Sequence, residues 1–256
     1  MKNFRHQHHR PRKNLLIVGR QAVIEALTAG KQLERIYMQA NVHGELIDEI
    51  KRLATLQQAP INKVPVEKLN NLNVSNHEGC VALISKIQYQ DLQQVISFVV
   101  EKGQVPLFVM LDAVTDIRNI GAIARSAYAL GAQAIIIPDK GVGALHEDAI
   151  LTSAGALENI SVCRVPSLMK AVDLLHLNGI LVYATEMTAK KLIYECNLSE
   201  PCAIVMGGEE NGIYPALLKI CDASCSIPMP GNFESLNVSV ATGIFLYEAV
   251  RQRQKK

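Results

Sequence analysis

Ser226-Ile-Pro-Met-Pro-Gly-Asn-Phe-Glu-Ser-Leu-Asn-Val-Ser-Val-Ala-Thr-Gly243 starts as a short apolar strand. It opens into a polar loop bearing Pro and Gly, then feeds a helix that begins at Ser235-Leu236-Asn237. About twenty residues earlier, Val205-Met-Gly-Gly-Glu-Glu-Asn-Gly212 repeats the device: an apolar strand ending in a Gly-rich loop. Two such strand ends side by side can build a pocket from backbone groups, because glycine lets main chain approach a ligand closely.

From Pro106 onward the chain alternates strand and helix. Strands are expected at 106–111, 133–138, 161–165, 180–185, 202–206 and 224–228, with helices at 119–130, 146–156, 167–177, 215–221 and 235–252. Such alternation predicts an α/β fold with a mostly parallel sheet covered on both faces. Ligands then sit at the C-terminal ends of the strands, where both loops fall. Gly141-Val-Gly143 is a lone G-x-G after the second strand, so a conventional Rossmann site is not indicated.

Ahead of this lies a smaller α/β block, 14–86. Helices are expected over 20–29, 46–56 and 66–72, and strands over 33–38, 61–64 and 81–84. Residues 87–104 read as a linker with one short helix, and 105–256 as the second domain. The first thirteen residues carry five Lys and Arg and no acid, a basic flexible tail able to grip phosphate through counterion release or simply to solubilise the chain.

Net charge is only +2, so the total does not indicate a strongly basic nucleic-acid binder. Apolar residues make up 49%, enough for a real core, and this argues against wholesale disorder. No apolar run approaches the roughly 20 residues of a membrane span, so a soluble, cytoplasmic protein with no membrane partner is expected. The six cysteines lack paired C-x-x-C spacing and are read as buried reduced thiols. His146-Glu147-Asp148 is thin evidence for a metal and reads as a solvated helix start; no metal is expected.

A third segment joins the two loops: Asp112-Ala-Val-Thr-Asp-Ile-Arg-Asn119-Ile-Gly-Ala-Ile-Ala-Arg125-Ser-Ala, again following an apolar strand. In order and spacing the three segments resemble the motifs of the SpoU/TrmH family of the SPOUT superfamily. Those proteins are S-adenosylmethionine-dependent RNA ribose 2′-O-methyltransferases. The whole chain most resembles the bacterial subgroup that methylates a guanosine of 23S rRNA. The resemblance implies a trefoil knot in the C-terminal domain, which no periodicity would predict. It also implies an RNA-binding role for the first block and a homodimer with each site at the subunit interface. RNA, expected to be ribosomal, is the partner; DNA is not expected. A tRNA methyltransferase of the same family and a non-catalytic RNA-binding or ribosome-assembly protein are the alternatives.

Site residues follow from the same match. Arg125 takes the position of the family's catalytic arginine. A guanidinium hardly deprotonates, so its expected role is to grip the adjacent phosphate, which assists proton removal. Gly121, on the same helix face, would leave room for that phosphate or ribose. Asn119 reads as a helix N-cap that also contacts the reacting nucleotide or Arg125, and Glu209 as the acid that orients Arg125 or a substrate donor. Ser235 reads as the N-cap of the final helix, with Asn237 in its first turn, and in the family both line the catalytic pocket. Gly207, Ile227, Met229 and Leu236 are the expected contacts of the methyl donor, S-adenosylmethionine. This chain departs from many relatives at Glu210, where they carry a small residue, and at Ile117-Arg118, where they often have proline.

Overall fold

The computed structural model describes residues 16–72, 74–143, 145, 147–231 and 235–254. The basic tail lies outside the described residues, as do His146 of the His-Glu-Asp cluster and 232–234 of the last loop. The chain divides into two compact units, Met1–Lys86 and Ile87–Lys256.

The first unit runs β1 (Leu16–Val18), α1 (Arg20–Thr28), β2 (Leu33–Gln39), α2 (Glu45–Leu56), β3 (Ile61–Val64), α3 (Val66–Asn70) and β4 (Cys80–Ile84). Its four strands form one sheet in the order β1-β4-β2-β3. β4 is antiparallel to both neighbours, while β2 and β3 are parallel. Val23, Ala26 and Leu27 of α1 and Ile47, Ile50 and Ala54 of α2 recur at helical spacing and are buried. Val23, Leu27, Ile47, Ile50 and Ala54 make the main core of this unit together with Ile36 and Met38. The addition to the expected elements is β1, three residues long and too short for a periodic signal.

The second unit runs β5 (Tyr89–Gln90), α4 (Leu92–Glu101), β6 (Leu107–Asp112), α5 (Ile117–Ala129), β7 (Ala134–Pro138), α6 (Glu147–Thr152), β8 (Ser161–Val165), α7 (Leu168–Leu177), β9 (Leu181–Thr185), β10 (Lys191–Leu192), β11 (Cys202–Gly207), α8 (Pro215–Leu218), β12 (Ala223–Ser226) and α9 (Val238–Arg253). Eight strands form one sheet, ordered β10-β12-β9-β11-β6-β7-β8-β5, and every pairing in it is parallel. Along β6 the side chains alternate between two cores. Leu107, Val109 and Leu111 join α5 and α9 on one face, while Phe108 and Met110 join α4 and α7 on the other. Burial on both faces is why these strands are continuous apolar runs.

Residues 87–104 are not a linker. Tyr89 and Gln90 pair with Val162 and Cys163 at the sheet edge. The expected helix is there as α4, and its Leu92, Val95, Ile96 and Val99 are buried in the second core. The segment looks like a linker in sequence because an edge strand of two residues carries no pattern. The expected helix over 146–156 also changes. α6 stops at Thr152, Ala154 and Gly155 take left-handed φ of 50° and 85°, and a 3-10 turn follows at Ala156–Glu158.

Two of the six cysteines are not reduced thiols: Cys196 and Cys225 are disulfide-bonded. They lie 29 residues apart, and spacing could not show that the fold brings them together. Among the others, Cys80, Cys163 and Cys202 are buried and Cys221 half-buried. Burial pushes the thiols of Cys80 and Cys163 up to about 12, and those of Cys202 and Cys221 to about 11.

α9 runs along α5 and β11. At its far end the Arg253 guanidinium donates to the carbonyls of Val105, Pro106, Leu198 and Glu200, just ahead of β6 and β11. Its first residues therefore stand over the C-terminal ends of those strands. No described helix is long and apolar enough to cross a membrane.

Candidate active site

Three segments converge where β6, β11 and α9 meet. β6 ends at Asp112, whose carboxylate accepts from the Tyr214 N–H at 2.6 Å and so ties the first motif to the loop after β11. The chain then turns through Ala113 at φ 55°, a left-handed conformation uncommon for a residue with a Cβ. Gly208 is what accommodates that turn: a Cβ there would lie 2.2 Å from the Ala113 carbonyl oxygen. Gly207 is equally confined, since its Cβ would meet the Gly212 carbonyl carbon at 2.5 Å. The two glycines thus permit close approach of protein backbone rather than serving a ligand alone.

The side chains of Asn119, Glu209 and Asn237 form a closed triad. Asn119 Nδ2 donates to Glu209 Oε1 at 2.9 Å. Asn237 Nδ2 donates to the same oxygen at 3.0 Å and to Asn119 Oδ1 at 3.0 Å. Asn237 Oδ1 accepts from the Ser239 N–H at 2.9 Å and from Ser239 Oγ at 2.6 Å. Those two contacts turn the amide so that its NH2 group faces the triad. Ser239 was not anticipated; its signal is its place two residues after an Asn at a helix start.

Both expected caps shift by a few residues. α5 starts at Ile117 and is capped by Asp116, whose carboxylate accepts from Arg118 N–H at 2.8 Å. Asn119 therefore lies in the first turn with its side chain free for the triad. α9 is capped by Asn237 and not by Ser235. Gly121 is buried against α6, where a Cβ would meet the Ala149 carbonyl oxygen at 2.7 Å, so it opens no space for a phosphate.

Arg125 stands apart. It is exposed on α5. Six residues on from Asn119, it lies about 120° around the helix. Among the described residues Glu209 bonds to the two asparagines and not to Arg125.

Beside the triad lies a cavity of about 610 Å³, within the range of small-molecule sites. Gly207, Glu209, Ile227, Met229, Ser235 and Leu236 all line it, so every expected donor contact is brought together there. Met206, Ile213, Val238 and Phe245 add apolar wall, and Cys225 of the disulfide reaches it too. The sequence gives no sign of the remaining wall, Thr185 to Thr188, which runs on from the last residue of β9. Thr185 Oγ1 donates to the Val205 carbonyl at 2.9 Å and the Glu186 N–H to the Cys225 carbonyl at 3.0 Å, which fixes this wall between β11 and β12. Ser226 Oγ donates to the carbonyls of Ala189 and Lys191.

Both units match described protein families. Residues 106–247 match the SpoU rRNA Methylase family, and residues 16–90 match the family described as RNA 2'-O ribose methyltransferase substrate binding. A putative TrmH family tRNA/rRNA methyltransferase of Bacillus subtilis, YacO, is 33% identical over 93% of this chain and 95% of its own. Among solved structures, the SpoU methyltransferase AviRb from Streptomyces viridochromogenes aligns over 94% of this chain and 90% of its own, with 26% identity and a TM-score of 0.60. A structure of AviRb in complex with the cofactor AdoMet aligns with 24% identity and a TM-score of 0.60, over 94% and 91%. With both units matched in the order in which they occur, the chain belongs to the SpoU rRNA Methylase family and is an RNA methyltransferase.

Proposed function

We propose that this RNA methyltransferase transfers a methyl group from S-adenosylmethionine to the ribose 2′-hydroxyl of a guanosine in 23S rRNA, acting in the cytoplasm. The observation that carries the reading is the Asn119-Glu209-Asn237 triad set beside the 610 Å³ cavity at the strand ends. The cavity suits the donor: apolar side chains for an adenine, main chain of two loops for its polar edge, and carboxylates for a cationic sulfonium. Gly207, Ile227, Met229 and Leu236 are the residues that would hold it. When bound, the donor supplies an electrophilic methyl group; no metal enters the proposal.

The remaining task is to activate a weak nucleophile, the protonated 2′-hydroxyl. Glu209 is held by two amide donors on one oxygen, which keeps the carboxylate oriented toward the strand ends. Ser235, exposed on the cavity rim, adds a hydroxyl. Arg125 grips the phosphate next to the reacting ribose and so assists loss of the proton.

Arg125 lies away from the triad of its own chain, and the homodimer answers this. Val240 and Tyr247, seven residues apart on one face of α9, are 51% and 60% exposed, and Tyr128 on α5 is 52% exposed. Such an apolar surface suits a second copy of the chain. Arg125 is three residues before Tyr128 and shares its helix face, so it would reach the partner's site. The trefoil knot belongs to the same proposal, and the first unit supplies RNA recognition. Its presence favours ribosomal RNA over transfer RNA.

The test is methyl incorporation from labelled donor into naked large-subunit rRNA, small-subunit rRNA and bulk tRNA, followed by nucleoside analysis. A single 2′-O-methylguanosine in large-subunit RNA is expected. Label in tRNA alone would replace the rRNA assignment with the tRNA one. No donor binding and no label would leave the non-catalytic reading.

A further inference from the structure

The cavity described above has an unbalanced lining. Glu186, Glu209 and Glu210 all contribute to it, and among its described lining residues there is no Lys, Arg or His. These carboxylates differ in what surrounds them. Glu209 is engaged by Asn119 and Asn237. Glu210 is exposed, so water and salt screen it. Glu186 is half-buried past the end of β9, with its backbone pinned to Cys225, and its side chain accepts from Thr188 Oγ1 at 3.3 Å. Of the three, it is the one placed to project a lasting negative potential into the cavity without being tied into the triad.

We infer that Glu186 is a specificity-determining residue that makes this cavity prefer a cationic sulfonium donor over the neutral thioether left after methyl transfer. The inference rests on the reading of the cavity as the donor site. Donor and product share adenine, ribose, ammonium and carboxylate; they differ in the methyl group and the charge on sulfur. Hydrogen bonds to adenine and contacts with Ile227 or Leu236 therefore hold both alike. A fixed carboxylate facing the sulfur does not, because only the donor presents a positive charge there. The consequence is release of spent product when the charge disappears, so that fresh donor displaces it.

Calorimetric titration of the full-length protein with S-adenosylmethionine, S-adenosylhomocysteine and sinefungin tests this. Sinefungin carries an ammonium in place of the sulfonium and should behave as the donor does. In Glu186→Gln, affinity for the two cations is expected to fall about fivefold while affinity for S-adenosylhomocysteine holds, a loss consistent with a partly screened charge several ångströms away. Equal weakening of all three ligands would overturn the inference, since it would place Glu186 on a part common to donor and product. Unchanged affinities would overturn it as well. A wild-type protein that binds none of the three would instead remove the donor-site reading itself. Matching thermal melts of the two proteins exclude a folding defect.

Discussion

The cavity at the strand ends, proposed as the donor site, is walled by main chain and by residues such as Met206, Ile227 and Phe245. The triad beside it is three polar side chains delivered by α5, the loop after β11 and the start of α9. The cavity's shape depends on what is missing at Gly207 and Gly208. The triad depends on what is present, down to which oxygen accepts. The first should tolerate exchanges of apolar side chain yet fail on addition of one carbon. The second should keep its shape under added bulk nearby and fail on loss of one hydrogen bond.

Four experiments can break this contrast. The largest effect is expected from Glu209→Ala. Both asparagine amides lose their common acceptor, and turnover should fall about 10²–10³-fold, as for loss of a group assisting proton transfer. Donor affinity, measured by calorimetry, should fall far less than turnover, by about fivefold at most, because one partly screened carboxylate leaves the cavity. Retained turnover would remove Glu209 from the chemistry.

Next in size is Arg253→Ala, at the end of α9 opposite the triad. Four carbonyls lose a charged donor, and urea unfolding should show a loss of about 2–3 kcal/mol. Arg253→Lys should not restore it, because an ammonium cannot reproduce the planar fork. Donor affinity of the protein that remains folded should not move.

Gly208→Ala sharpens the contrast from the cavity side. The added carbon collides with the Ala113 carbonyl, so the loop carrying Glu209 must shift. Donor affinity is expected to drop about tenfold, with stability falling by about 1–3 kcal/mol as for overpacking. Donor binding at the wild-type level would show that the loop is not what shapes the cavity.

The smallest effect concerns the free thiols. Cys80, Cys163 and Cys202 are neutral in the folded state because burial pushes them well above the ordinary 9.0. Native protein at pH 8 should therefore resist alkylation that denatured protein undergoes. Their folded values exceed their unfolded ones, so the stability they contribute is complete below about pH 9 and is lost as pH rises toward 11–12. A urea midpoint constant through that alkaline range would contradict it.

Much of the fold was legible in the sequence. Buried parallel strands such as 107–112 and 202–207 are unbroken apolar runs bounded by polar turns, and they fall within a residue or two of expectation. β1, β5 and β10 were not legible, because two or three residues cannot display a period. Helix starts were ambiguous for a different reason. Asp116 and Asn119, or Ser235 and Asn237, are all competent caps, and only the backbone decides which one is used. Asn119, Glu209 and Asn237 were reached by resemblance to a family. Positions 90 and 28 residues apart hold no physical signal of contact until the sheet order brings them together. Glu186 and its neighbours were missed because the end of β9 lacks the Gly-rich loop that marked the other strand ends.

α9 also sets a schedule. Synthesis runs from the N-terminus, so this helix leaves the ribosome after every strand of the sheet. Until then Asn119 and Glu209 lack their shared partner, and the carbonyls ahead of β6 and β11 lack the guanidinium that satisfies them. Docking of one helix supplies both at once, one at each end of the sheet. A nascent chain therefore passes through a stage in which the sheet can be complete and the triad still open.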